Sequence, residues 1–105
     1  MDNICVLYVT APGKEAAMEI AKSMVSLRLA ACANVIDGVT SFYRWEGKET
    51  EDKETVMLLK TTEKLVPELE KAIKKMHSYS CPCIIAFPVI HASKEYADWI
   101  RSQTR

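Results

Sequence analysis

The sequence lacks most of the features that would place a protein quickly in a functional class. Its 105 residues contain no Cys-x-x-Cys pair, only three glycines, and no apolar run near the roughly eighteen residues of a membrane-spanning helix. Fourteen basic side chains balance fourteen acidic ones, so no net charge attracts nucleic acid or an anionic membrane. These absences argue against a zinc ribbon, a thioredoxin-type redox site, a nucleic-acid partner and a membrane partner.

The composition predicts a single globular domain over residues 1–105, with 49% hydrophobic and 27% charged residues. The first ten residues lack the basic segment that begins a signal peptide and instead resemble a strand, so we expect a cytoplasmic location. Four cysteines are too few for a disulfide scaffold, and a reducing cytoplasm would keep them as free thiols.

The longest coherent pattern lies in residues 33–62, which read as two extended arms around a polar turn. β-branched and aromatic residues recur at period two in both arms, whereas residues 46–54 hold five acids and two lysines and predict a solvated turn. Arms of about a dozen residues at roughly 3.3 Å each would reach about 40 Å, well beyond a core with a radius of gyration of about 13 Å. The far half of the hairpin therefore needs a partner chain.

The remaining segments complete a recognisable order of elements. A helix begins near Pro67, since proline is tolerated in the first turn, and Ser93 is placed to cap a final helix. The order is β-α-β-β-α-β plus a terminal helix, which predicts an α+β, ferredoxin-like sandwich with a long central hairpin. The other predicted elements are strands at 4–10 and 83–87 and a helix at 14–29.

Five strings in register resemble the CutA family of divalent-cation tolerance proteins across essentially the whole chain. They are LAACANV at 29–35, TSFYRWEGK at 40–48, Glu54 with MLLKT at 57–61, HSY at 77–79, and the pair Tyr96 and Trp99.

The resemblance implies a ferredoxin-like subunit in a homotrimer, with hairpins that pair with neighbouring subunits. It also implies an assembly similar to the trimeric PII signalling proteins, a link to copper and other divalent metals, and no established catalytic activity. One departure stands out. Where the family usually has Pro-Glu, this chain has Pro82-Cys83, so a thiol replaces a carboxylate.

Four residues are candidate metal ligands, because thiolate and imidazole suit soft and borderline metals. Against this, a free cysteine is often a buried apolar filler, Cys83 is expected to face the core, and a histidine after a helix can cap its last carbonyls. The candidates are Cys32, His77, Cys81 and Cys83.

A second set of residues is expected to bind a ligand in a cleft between subunits, where Lys60 and His77 would contact an anion. The alternative for Lys60 is a structural ion pair. This inter-subunit set is Glu54, Lys60 and Tyr79. Aromatic residues dominate interface energetics, so a third set is predicted at the trimer interface rather than in a cation–π box. It consists of Phe42, Tyr43, Trp45, Tyr96 and Trp99.

Together these patterns favour a homotrimeric, non-enzymatic binding protein of metal tolerance, either metal-binding or a PII-like sensor of a small ligand. It requires no cofactor, although copper or another divalent cation could bind. The alternatives are a structural trimer without a selected metal site and an enzyme that uses the cleft between subunits. The loop at 11–14 lacks the arginine of a ferredoxin-like acylphosphatase, and the strand at 55–61 lacks the aromatics of an RNA-recognition motif.

Overall fold

The computed structural model describes residues 2–105 and confirms the α+β, ferredoxin-like order. Four strands and three helices alternate as β-α-β-β-α-β followed by the terminal helix, and a short 3-10 turn, Glu63–Leu65, precedes the second helix. The elements are β1 Ile4–Ala11, α1 Lys14–Ser26, β2 Cys32–Trp45, β3 Lys48–Thr62, α2 Val66–Met76, β4 Ile84–Pro88 and α3 Lys94–Gln103.

The strands form one antiparallel sheet in the order β2-β3-β1-β4. Alternation along each strand divides the sheet into two faces. The covered face packs against α1 and α2, and its buried side chains include Cys5, Leu7, Met57 and Leu59. Cys5 thus serves as a core filler. The opposite face, which we call the open face, is covered only at one end, where α3 packs near Ile4.

The central hairpin differs from the prediction at its tip. Residues 46–54 do not form a long solvated turn, because the two arms are joined by Glu46 and Gly47 alone. Both residues have positive φ, 50° and 78°, as a type I′ hairpin turn requires. The charged residues beyond the turn belong to β3, where the backbone ladder with β2 satisfies their amides and lets their side chains project from either face.

The hairpin makes the subunit elongated, with principal extents of 44 × 25 × 23 Å. A β-bulge at Asp37 and Gly38 interrupts the ladder between the base and the far half of the hairpin. In the far half, Tyr43 and Trp45 are exposed and Phe42 is 75% exposed. The expected overhang of the hairpin aromatics is therefore present in the single chain.

Local signals explain where the helices begin and end. Pro67 lies in the first turn of α2, and Ser93 precedes α3, where its hydroxyl accepts from the amide of Tyr96 at 3.4 Å. Helix α1 ends at Ser26, three residues before the predicted end, because Arg28 adopts a left-handed conformation with φ 59°. Across residues 2–105, no helix is both long and apolar enough to cross a membrane.

Candidate functional site

A cleft of about 450 Å³ opens on the open face of the sheet, at the end away from α3. Four parts of the chain form it: the end of β1, the middle of β3, the far half of β2, and the loop that leads into β4. We call this the Glu54 cleft. Its lining residues are Tyr8, Thr10, Ser41, Tyr43, Trp45, Glu54, Tyr79, Ser80, Cys81 and Cys83.

Glu54 is the one acidic or basic residue among those that line the cleft. The alternation of β3 places it on the open face, opposite Val39 of β2, and only 8% of it is exposed. Its Oε2 accepts a hydrogen bond from the Tyr79 hydroxyl at 3.1 Å. Within residues 2–105, none of the ion pairs formed by lysine, arginine or histidine includes Glu54. The cleft therefore holds a buried carboxylate that has no positive partner in the part of the chain that the structure describes.

Tyr79 is held as a neutral donor to this carboxylate. Burial, followed by the negative charge of Glu54 and the hydrogen bond to it, raises the pKa of Tyr79 to about 12. The prediction grouped Tyr79 with Glu54, and the structure brings these two residues into direct contact.

His77 orients the segment that carries Tyr79. Its Nε2 lies 2.7 Å from the carbonyl oxygen of Thr10, and its Nδ1 accepts from the amide of Tyr79 at 3.1 Å. A carbonyl can only accept, so the geometry assigns the ring proton to Nε2 and leaves the lone pair of Nδ1 bonded to an amide. Both ring nitrogens are engaged, so neither is free to ligate a metal in this arrangement.

Cys81 and Cys83 both line the Glu54 cleft. Contrary to the prediction from sequence, Cys83 does not face the covered core. It lies two residues before Ile85, which pairs with Tyr8 on the open face, and side chains two residues apart in extended backbone point to the same face. Burial first, and then the charge of Glu54, raises the pKa of the Cys83 thiol. Both cysteines are free thiols.

Cys32 and Lys60 lie elsewhere on the open face. They oppose each other on β2 and β3, and Lys60 is about 20 Å from Glu54 along the strand at roughly 3.3 Å per residue. The Lys60 ammonium donates to the Tyr96 hydroxyl at 3.1 Å and lies 5.3 Å from the centre of that ring. Lys60 thus contacts an aromatic residue of α3 rather than the cleft, and it forms no ion pair among the described residues.

The described part of the chain contains no group of three or more histidine, cysteine, aspartate or glutamate side chains arranged to hold a metal ion. The four candidate ligands are accordingly not assembled as one site: Cys32 lies apart from the cleft, and His77 bonds the backbone. A metal held by this subunit would need fewer protein donors or donors from another chain.

The aromatic candidates form two separate groups. Tyr43 and Trp45 line the cleft, where the Tyr43 hydroxyl hydrogen-bonds to Asp52 across the hairpin. Tyr96 and Trp99 lie on α3 with ring centres 5.5 Å apart. The prediction missed Tyr8 and Thr10 as cleft residues, although period-two alternation with the core residues of β1 would have placed both on the open face.

Comparisons with known proteins agree on one family. Residues 5–103 match the family model described as CutA1 divalent ion tolerance protein. A divalent-cation tolerance protein CutA of Thermus thermophilus is 44% identical over 99 residues, covering 94% of this chain and 96% of that protein. The solved structure of a Cut A1 divalent cation tolerance protein from Thermus thermophilus superimposes with a TM-score of 0.95 at 43% identity, covering 97% of this chain and 99% of that one.

A plant relative, Protein CutA 1, chloroplastic, of Oryza sativa subsp. japonica, is 41% identical over 100 residues. The match covers 95% of this chain and 56% of the rice protein, so the chain spans just over half of that relative's length. A family match over nearly the whole sequence, with relatives above 40% identity, shows that the chain belongs to the CutA1 family of divalent ion tolerance proteins.

Proposed function

We propose that this protein is a homotrimeric, non-enzymatic binding protein of divalent-metal tolerance, copper included, and that a cation binds in the Glu54 cleft. The observation that carries the proposal is the buried carboxylate of Glu54, which has a neutral tyrosine as its hydrogen-bond donor and no cationic partner among residues 2–105. The family name of divalent ion tolerance supports the same class of ligand.

The electrostatics of the cleft favour a positively charged occupant. An ionised carboxylate taken out of water costs several kcal/mol unless a counter-charge or several hydrogen bonds offset that cost. One hydroxyl donor offsets only part of it. A metal cation, or a cationic group of a partner subunit, would supply the counter-charge that offsets the rest of this cost.

The hairpin supports association with further copies of the chain, as the proposed homotrimer requires. A two-stranded ribbon is marginal in water by itself, and the far half exposes Phe42, Tyr43 and Trp45. Because Tyr43 and Trp45 line the Glu54 cleft, a neighbouring subunit that packs on them would close the cleft and add donors to it. The described residues contain no group of three or more metal-ligating side chains, so a metal in this cleft would gain ligands from the neighbouring subunit.

The proposal includes no catalysis. The histidine nearest the cleft has both ring nitrogens bonded to backbone groups, and the tyrosine that contacts Glu54 holds its proton tightly. Four free thiols suit a reducing compartment, so the cytoplasm remains the proposed location.

The aromatic lining supports a second candidate, a PII-like sensor of a small organic cation. Tyr8, Tyr43 and Trp45 line the same cleft as the carboxylate, and aromatic faces attract ammonium groups. Titration of chelator-treated protein with tetramethylammonium and with Cu(II) separates the two candidates, since only the sensor binds the organic cation with an affinity that depends on Trp45.

Isothermal titration of Cu(II) into chelator-treated trimer tests the metal proposal. We expect saturable binding that weakens about 10–100-fold in Glu54→Gln, a range typical of lost support at a metal site. Glu51→Gln is the matched control, because it removes the same charge from an exposed position of β3. Equal isotherms for Glu54→Gln and the wild type would reject the Glu54 site, and a monomer in light scattering would reject the trimer.

A further inference from the structure

Two thiols, those of Cys81 and Cys83, line the Glu54 cleft, and the proposed divalent site does not use them. Cys81 and Cys83 flank Pro82, whose ring fixes φ and restricts the backbone between them. Neither is in a disulfide.

The neighbours of this pair limit the coordination number that it can offer. His77 has its Nε2 against the Thr10 carbonyl and its Nδ1 against an amide, so it is not a third donor without a rearrangement. Glu54 offers a carboxylate oxygen, a ligand type that suits harder ions than Cu(I). No set of three ligating side chains exists among residues 2–105, which leaves two sulfurs as the donors.

We propose that Cys81 and Cys83 form a two-sulfur site for Cu(I) at the Glu54 cleft. Thiolates select soft ions, and Cu(I) accepts two sulfur donors without further ligands, whereas Zn²⁺ requires four. This inference rests on the proposed function in one respect, that the cleft takes up a metal, and it assigns that metal's oxidation state and its ligands.

The binding step is an exchange of protons for the metal. Each thiol releases one proton to solvent as its Cu–S bond forms, so two protons leave for every Cu(I) that binds, and the copper keeps its oxidation state.

Anaerobic competition of the intact protein against the Cu(I) chelator bicinchoninate tests the site. We expect one Cu(I) per chain, and an affinity that rises about 100-fold per pH unit while both thiols are protonated. Cys81→Ser and Cys83→Ser should each lower the affinity at least about 100-fold, because one thiolate remains. Cys32→Ser is the matched control, since it removes a half-buried thiol from the far end of the open face and should leave the affinity unchanged.

X-ray absorption at the copper edge supplies a readout of the ligands themselves, and thermal melts establish that each serine variant is folded. Two sulfur neighbours in the wild type support the proposal. The proposal is overturned if a folded double variant, Cys81→Ser with Cys83→Ser, retains the wild-type affinity for Cu(I), or if Cys32→Ser loses as much affinity as Cys83→Ser. It is also overturned if the X-ray absorption spectrum shows mainly nitrogen ligands on the copper. Loss of Cu(II) binding in Glu54→Gln with Cu(I) binding intact would separate this site from the divalent one.

Discussion

The Tyr79 hydroxyl donates a 3.1 Å hydrogen bond to Glu54, a carboxylate that is 8% exposed and has no ion-pair partner among the described residues. The two residues are 25 positions apart in the chain, and the loop before β4 brings them together. This contact defines the charge of the cleft: one buried negative group beside a donor that stays neutral. The proposed cation would occupy the space next to that group.

The titration of Tyr79 reports on this contact. Its pKa is raised to about 12 by burial and then by Glu54, so Glu54→Gln should lower that pKa toward 10 while burial keeps it above 10. A bound cation should lower it in the same direction. Absorbance of the phenolate during a pH titration, taken as the difference from Tyr79→Phe, measures the value. An unchanged pKa in Glu54→Gln contradicts the contact.

The same shift has a consequence for stability. The folded-state pKa of Tyr79 lies above its unfolded value of about 10, so this contribution to stability is complete below pH 10 and is lost as pH rises toward 12. Urea unfolding at pH 9, 10 and 11 should show a steeper decline for the wild type than for Tyr79→Phe. Parallel declines would show that Tyr79 titrates alike in the folded and unfolded chains.

His77 is predicted to be neutral with its proton on Nε2. Nitrogen-15 spectra of the imidazole distinguish the two tautomers directly, and the Nε2–H form is expected. His77→Ala leaves the Thr10 carbonyl and the Tyr79 amide without this partner, so it should lower the free energy of unfolding by about 1–3 kcal/mol. The Nδ1–H tautomer, or a large chemical-shift change of both nitrogens on metal addition, would contradict the structural role.

Trp45 is predicted to stabilise the assembly rather than the subunit. It is half exposed in the single chain, so Trp45→Ala should change subunit folding little but weaken association by more than about 2 kcal/mol, as at an interface hot spot. Light scattering across a dilution series measures the association. Glu51→Ala is the control on the neighbouring strand. If the Trp45→Ala trimer survives dilution as well as the wild-type trimer does, the Trp45 side chain lies outside the interface.

Arg28 carries two opposing contributions. Its left-handed backbone costs about 1 kcal/mol in a residue other than glycine, while its guanidinium donates to the carbonyls of Ser102 at 2.8 Å and Gln103 at 3.2 Å. Arg28→Ala loses the bonds and keeps the strain, whereas Arg28→Gly loses both. Thermal or urea unfolding should therefore find Arg28→Gly more stable than Arg28→Ala by about 1 kcal/mol. The reverse order would show that the strain is absent.

Local patterns were sufficient for most of the fold. Period-two alternation predicted the hairpin, Pro67 and Ser93 marked two helix starts, and the apolar run at residues 4–10 predicted β1, which spans Ile4–Ala11. The predicted turn at the hairpin tip is too long. A run of charged residues does not require a loop, because the backbone hydrogen bonds between β2 and β3 leave charged side chains free to project into solvent. The predicted end of α1 was wrong because Arg28 takes the left-handed conformation for which glycine is the usual sequence signal.

The cleft was harder to predict, because its contacts are not local. The Nε2 of His77 meets the carbonyl of Thr10 across 67 positions of sequence, and no periodicity predicts such a pair. The grouping of Lys60 with Glu54 could have been tested from sequence alone, since their spacing along one strand implies about 20 Å. The link between Glu54 and Tyr79 came from the family strings rather than from the residues' own pattern.

Native mass spectrometry with Cu(II) tests the central claim most directly, because it counts chains and ions in the same particle. For metal-free wild type given one equivalent per chain, we predict three chains with three bound ions. For Glu54→Gln, we predict three chains with fewer retained ions than the wild type holds. Single chains, or equal numbers of ions on the wild type and Glu54→Gln, would contradict the account.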